Sequence, residues 1–183
     1  AMYDASVDAL RHSDTADVDF DIYDADKGVN RSERDVRKKV MTHLVVSGET
    51  NLASGLSLVS VVIDIERIGD YTKNIYDLAV HHPLRLEGGP VEEKLQNVEA
   101  LVTSDFKSMI EVFKDRDEDK ARLIMNNYKE GLSDACEEIS NSILSGIVTD
   151  LNSSDATAVS LYARFLKRIA SHSRNIVTSV VNP

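Results

Sequence analysis

Asp64-Ile-Glu-Arg-Ile-Gly-Asp-Tyr-Thr-Lys-Asn-Ile75 sets Glu66, Asp70 and Asn74 at intervals of four residues. That spacing reads as an α-helix, in which side chains four apart share a face. Two carboxylates stacked this way repel unless something positive lies between them. The face is therefore either a hard-cation site or one half of a salt-bridge network. Leu58, Val61, Ile65, Ile68, Ile75 and Leu78 give the same helix an apolar stripe wide enough to pack against two neighbours. This helix is expected to be the central and most buried one.

Spacings of three and four dominate the apolar positions elsewhere too, and no sustained two-residue alternation occurs, so the chain reads as all α. The preceding helix carries Val18, Ile22, Ala25, Val29, Val36 and Val40 and is expected to stop near Ser47-Gly48. Asn51 or Ser54 then opens the helix quoted above. Ahead of both lies a short apolar piece, Met2, Tyr3, Val7 and Leu10, cut off at Ser13-Asp14. Two of the three prolines, Pro83 and Pro90, bracket the one obvious linker.

Beyond the linker the order returns. One helix carries Leu95, Val98, Val102, Phe106, Met109 and Phe113. A second carries Ala121, Met125, Tyr128, Leu132, Ala135 and Ile139, and a third starts at about Ser154-Asp155. In that third helix, Lys167-Arg-Ile-Ala-Ser-His-Ser-Arg-Asn-Ile176 matches Glu66 to Ile75 at a constant offset of 101, with Arg, Ile, Asn and Ile identical. The second helices of each half both place acids seven residues apart, Asp26 with Glu33 and Glu130 with Glu137. These matches predict two tandem three-helix bundles related by duplication, 1–82 and 91–183, joined by a linker at 83–90, with the first helix shortened and the bundles in contact.

Of the 183 residues, 42% are hydrophobic, enough for a real core. No apolar run approaches a membrane span, and the N-terminus lacks the features of a signal peptide. The lone Cys136 forms no internal disulfide and suits a buried helical position in a reducing, cytoplasmic protein. A formal net charge of −10 argues against nucleic acid, anionic lipid and direct phosphate capture. The acids crowded between Asp14 and Asp26 read as a solvated face near a helix N-terminus.

Glu66, Arg67, Ile68, Gly69, Asp70, Asn74 and Ile75 resemble the signature helix of the PhoU-like phosphate-uptake regulators, Glu-Arg-Ile-Gly-Asp-His-x-x-Asn-Ile, with Tyr71 in place of the histidine. Asp26-Lys-Gly-Val-Asn30 and Glu33 resemble the Asp-Lys-x-Val-Asn-x-x-Glu segment of that family's preceding helix. The resemblance runs from about residue 5 to 181. It implies two three-helix repeats, a cytoplasmic non-enzymatic regulator, and contacts with a phosphate transporter or sensor kinase. It also implies metal clusters of iron, zinc, manganese or magnesium. The second repeat has lost both signature acids to Lys167 and Ser171, so a metal face is expected only on the first.

Asp26, Asn30 and Glu33 share one helix face and Glu66, Asp70 and Asn74 another. Where these converge they form an oxygen-rich site suited to magnesium, manganese or iron. Gly69 lies between the acids, where a missing side chain leaves room for an ion or a close backbone. The competing reading pairs Glu66 and Asp70 with Arg67, Lys73, Lys27 or Arg34 on a wet surface, and whether a metal is bound is left open. In the second repeat Lys167 is expected to reach Glu130 or Glu137, a built-in ammonium replacing the lost metal. His172 reads as packing, and His12, His43, His81 and His82 are given no role.

The other functional readings are the cytosolic PhoU-like domain of a sodium-phosphate cotransporter-like protein, favoured by the short first helix, and a di-iron oxidase. The oxidase is discounted because no Glu-x-x-His occurs. Homodimerisation is an open option, since helix surfaces that dimerise read much like surfaces that face solvent.

Overall fold

A computed structural model describes residues 1–47 and 51–182. Among them there are helices and no strands: α1 (Met2–Arg11), α2 (Ile22–Ser47), α3 (Leu52–His81), α4 (Glu92–Asp115), α5 (Glu118–Asn127), α6 (Ser133–Leu144) and α7 (Ser153–Val181). A 3-10 turn at Gly89–Val91 leads into α4, and a π turn at Tyr128–Leu132 joins α5 to α6. Helices α1 to α3 form the first repeat and α4 to α7 the second.

Local chemistry sets the ends. α2 begins at Ile22, with the Asp21 carboxylate accepting the Asp24 backbone N–H at 3.0 Å. Val18, expected on this helix, therefore lies in the preceding loop. The expected stop at Gly48 lies outside the described residues. α7 begins one residue earlier than expected, because the Asn152 side chain accepts the Asp155 N–H at 2.9 Å and caps it. Replacing Asn152 by alanine is expected to lower stability by about 1 kcal/mol, read from the urea midpoint. An unchanged midpoint would show that the cap is dispensable. The continuous second helix expected in the second repeat is broken at Gly131, whose φ of 137° belongs to glycine rather than to any L side chain.

One hydrophobic core runs through both repeats. At its centre is α7 rather than α3, which corrects the expectation for the most buried helix. α7 contacts α3, α4, α5 and α6 and buries eleven residues, among them Tyr162, Leu166, Ile169 and Ile176. α3 buries five, Val61, Ile68, Gly69, Thr72 and Ile75, and leaves Leu58 and Ile65 of its stripe about 40% exposed. The described α1 lies against α3 over ten residues, whereas α4, of twenty-four, lies against α7.

The repeats are joined by two contacts between corresponding helices. α3 lies against α7, where Asp64 accepts hydrogen bonds from His172 Nδ1 at 2.7 Å and Asn175 Nδ2 at 3.2 Å. Tyr71 stacks on His172 with ring centres 5.9 Å apart and accepts a bond from Arg168 Nε at 3.2 Å. α1 runs antiparallel to α4, so that Tyr3 meets Thr103 and Phe106 while Arg11 reaches Glu99 and Glu92. Cys136 is buried in the second repeat, which pushes its thiol up to about 12 and leaves it unreactive.

Candidate functional site: the acidic face of α2 and α3

The helix spacing puts Asp26, Asn30 and Glu33 on the side of α2 that faces α3. The two helices lie close at Gly69: a Cβ there would stand 3.4 Å from Val29 Cγ1 and 3.8 Å from Asp26 Oδ1, ordinary van der Waals contact that an alanine would also make. Asp26 is only 6% exposed as a result. Its Oδ2 accepts hydrogen bonds from Asn30 Nδ2 at 3.2 Å and Lys73 Nζ at 3.1 Å, while its Oδ1 is buried without a hydrogen-bond partner. Lys73 also reaches Asp70 Oδ1 at 3.4 Å and so bridges the two helices. Burial works against its charge, but the Asp26 and Asp70 carboxylates hold its ammonium above the usual lysine range.

The other predicted acids have cations beside them. Arg67 lies 3.4 Å from Asp70 and 3.6 Å from Glu66, and Arg37 lies 2.9 Å from Glu33. Asn74 is half-buried one turn beyond Asp70. The carboxyl of Glu66 is raised above its ordinary range, first by burial and then by the charge of Asp70, with Glu33 and Asp26 adding to it and Arg67 opposing. Acids from both helices thus form one negative field with more charge than its cations neutralise. Lys73 was legible as a helix neighbour of Asp70; that it also spans to Asp26 depends on how closely α2 and α3 approach.

A hard cation fits this field in two respects: the donors are carboxylate oxygens, and one of them, Asp26 Oδ1, is buried and unsatisfied. Among the described residues, however, no three His, Cys, Asp or Glu side chains stand close enough together to ligate one ion. Lys73, Arg67 and Arg37 are the cations paired with the acids of this face among the described residues.

The matching face of the second repeat is built differently. Lys167 Nζ bonds Glu137 Oε1, and this contact lowers the Glu137 carboxyl below its usual range. Glu130 is exposed in the π turn and forms no ion pair among the described residues.

Two polar clusters outside the predicted site were missed, because each depends on side chains far apart in sequence. Arg11, 7% exposed, donates to Glu92, Glu99 and the Leu86 carbonyl, and Glu99 also accepts the Tyr162 hydroxyl at 2.9 Å. His82 joins the end of α3 to the start of α7 through Asp155 at 2.9 Å. Both fasten the linker to the core.

The PhoU domain family matches residues 1–79 and 95–180, one segment in each repeat. The crystal structure of PhoU from Pseudomonas aeruginosa superposes with a TM-score of 0.79 at 20% identity, covering 98% of this chain and 87% of that one. No curated protein is similar enough to match. With the family's domain found across both repeats of an all-α fold, the chain belongs to the PhoU domain family.

Proposed function

We propose that this protein is a non-enzymatic regulator of phosphate transport or phosphate signalling, working on the cytoplasmic side by docking helical surfaces against a transporter or sensor kinase. The observation that carries this reading is the family's domain in both halves of the chain, with the acid-bearing signature kept on α3 and replaced by Lys167 on α7. The reading is non-enzymatic because the acids of the α2–α3 face are engaged by Lys73, Arg67 and Arg37. No helix among the described residues is long and apolar enough to cross a membrane.

A source strain deleted for this chain and carrying a phosphate-starvation reporter tests the reading. The reporter should stay on in high phosphate and be silenced when the chain is restored. A reporter that ignores the deletion would overturn the regulatory reading.

Metal tuning belongs to the same proposal. Asp26, Glu66 and Asp70, with Glu33, Asn30 and Asn74 around them, would hold iron, manganese, zinc or magnesium only by drawing closer together than they stand here. Such an ion would supply positive charge to a face where carboxylates repel. Lys73 competes for the same oxygens, so Lys73→Ala should carry more metal than wild type, and Glu66→Ala/Asp70→Ala less, in mass spectrometry of protein purified without chelator. Equal, negligible metal in all three after metal is supplied would make the acids structural.

A further inference from the structure

Helix α2 carries a straight line of cations on an acidic molecule. Lys27, Arg31, Arg34 and Lys38 follow one another at intervals of four, three and four residues, which sets them on one side of the helix. All four are exposed, and none forms an ion pair among the described residues. Met41 and Val45 continue the same spacing toward the end of the helix, 59% and 83% exposed, and Val46 beside them is 82% exposed. From Lys27 to Val45 the line is roughly 27 Å long at 1.5 Å per residue. It passes from charge into uncovered apolar surface.

This face is turned away from the rest of the fold. Val29, on the inner side of α2, meets Gly69 of α3 and lines the cavity beside Met2 of α1. At about 100° per residue, the four cations lie roughly 140–180° round the helix from Val29. Their exposure therefore owes nothing to the length of α1.

The second repeat has no counterpart. In the register that matches Asp26 with Glu130 and Glu33 with Glu137, it places Gly131, Ala135, Glu138 and Ser142 where the cations stand. The stripe thus makes one side of the molecule basic. A net charge of −10 argues against anionic lipid for the molecule as a whole. A bilayer, however, meets one face at a time, and at about 0.1 M salt charges more than about 10 Å away are largely screened. Asp24 and Asp35 are the acids of α2 that flank the line, two against four.

From this we propose that the outer face of α2 binds the surface of a bilayer containing anionic phospholipid, with Lys27, Arg31, Arg34 and Lys38 over the headgroup phosphates and Met41 and Val45 set shallowly among the headgroups. Charge complementarity and the apolar residues in line with the charges argue for this occupant. The face is the convex side of one helix and carries no aromatic anchor, whereas protein–protein contacts centre on well-packed pockets, often filled by Trp or Tyr. The chain lies on the membrane in this arrangement and does not cross it. The proposal needs neither the phosphate reading nor a metal.

The full chain is sedimented with sucrose-loaded vesicles of phosphatidylcholine alone, or of phosphatidylcholine and phosphatidylglycerol at about three to one, in about 0.1 M salt. Wild type is compared with Arg34→Glu/Lys38→Glu, with Met41→Ser/Val45→Ser and with Lys114→Glu/Arg116→Glu, which makes the same change of net charge away from α2. Circular dichroism checks that each variant folds. Wild type and Lys114→Glu/Arg116→Glu are expected to bind the anionic vesicles and not the neutral ones. Arg34→Glu/Lys38→Glu should bind at least about tenfold more weakly, and Met41→Ser/Val45→Ser several-fold more weakly. Wild type that stays in the supernatant, equal binding to both kinds of vesicle, or equal binding by Arg34→Glu/Lys38→Glu and Lys114→Glu/Arg116→Glu overturns the proposal. So does wild type that ignores vesicles but takes up fluorescein-labelled polyglutamate through the stripe, which hands the face to an acidic protein. A wild-type dimer in light scattering that Arg34→Glu/Lys38→Glu turns into monomers overturns it too, since a second copy is then the occupant.

Discussion

Arg11→Met is expected to lower the stability of the fold at pH 7 by roughly 3 kcal/mol, a fall in Tm of about 6–12 °C for a chain of this size. The arginine side chain is 4% exposed and serves two carboxylates and the Leu86 carbonyl at once. Methionine fills similar space but leaves Glu99, 14% exposed, without its cation. Removing one partner of a buried ion pair costs more than removing both.

The pH dependence has a definite sign. Burial pushes the Glu92 carboxyl up, but Arg11 and the Gly88 N–H hold it below its ordinary range. A carboxyl lowered in the folded state adds stability above its unfolded pKa of about 4.5 and loses it as pH falls through the folded value. In Arg11→Met the same carboxylate has lost its cation, and protonating it removes the penalty. The gap between wild type and variant, measured by urea unfolding, should therefore be widest near neutrality and narrow below about pH 4.5. A loss under 1 kcal/mol, or a gap that stays constant with pH, would show that the network is not holding the linker.

Leu166→Ala should be comparably severe, costing about 3 kcal/mol within the usual 2–5 for truncating a buried leucine. Leu166 is fully buried on α7, the helix on which both repeats pack, so few neighbours can move in to fill the space. Leu161, 38% exposed on the same helix, is the matched control and should cost under about 1 kcal/mol. Urea midpoints with unchanged slopes would register the difference. Equal costs at the two positions would mean that α7 is not the centre of the core.

Much of this molecule can be read from residue spacing. The stripe around Ile68 and Ile75 and its copy around Ile169 and Ile176 announce two duplicated helices. Pro83 and Pro90 mark the linker, and Ser13-Asp14 marks where the first helix stops. The kink at Gly131 was less legible, since a glycine within a helical pattern reads equally as an ordinary helix position; the positive φ is known only from the backbone. The acids of α2 and α3 were named from their order, whereas the lysine that joins them depends on two helices meeting.

What the sequence determined by itself is periodic and local: helix, stop, repeat, and the loss of two acids from the second signature. Those properties follow from side chains three and four residues apart, which a single helix brings together. The tertiary structure decided which surface each helix buries. Burial is greatest on α7, which packs against α3, α4, α5 and α6, while Leu58 and Ile65 of α3 stay about 40% exposed. The same packing brings Arg11 to Glu92 and Lys73 to Asp26, pairs separated by dozens of residues that meet only when the helices close on one core.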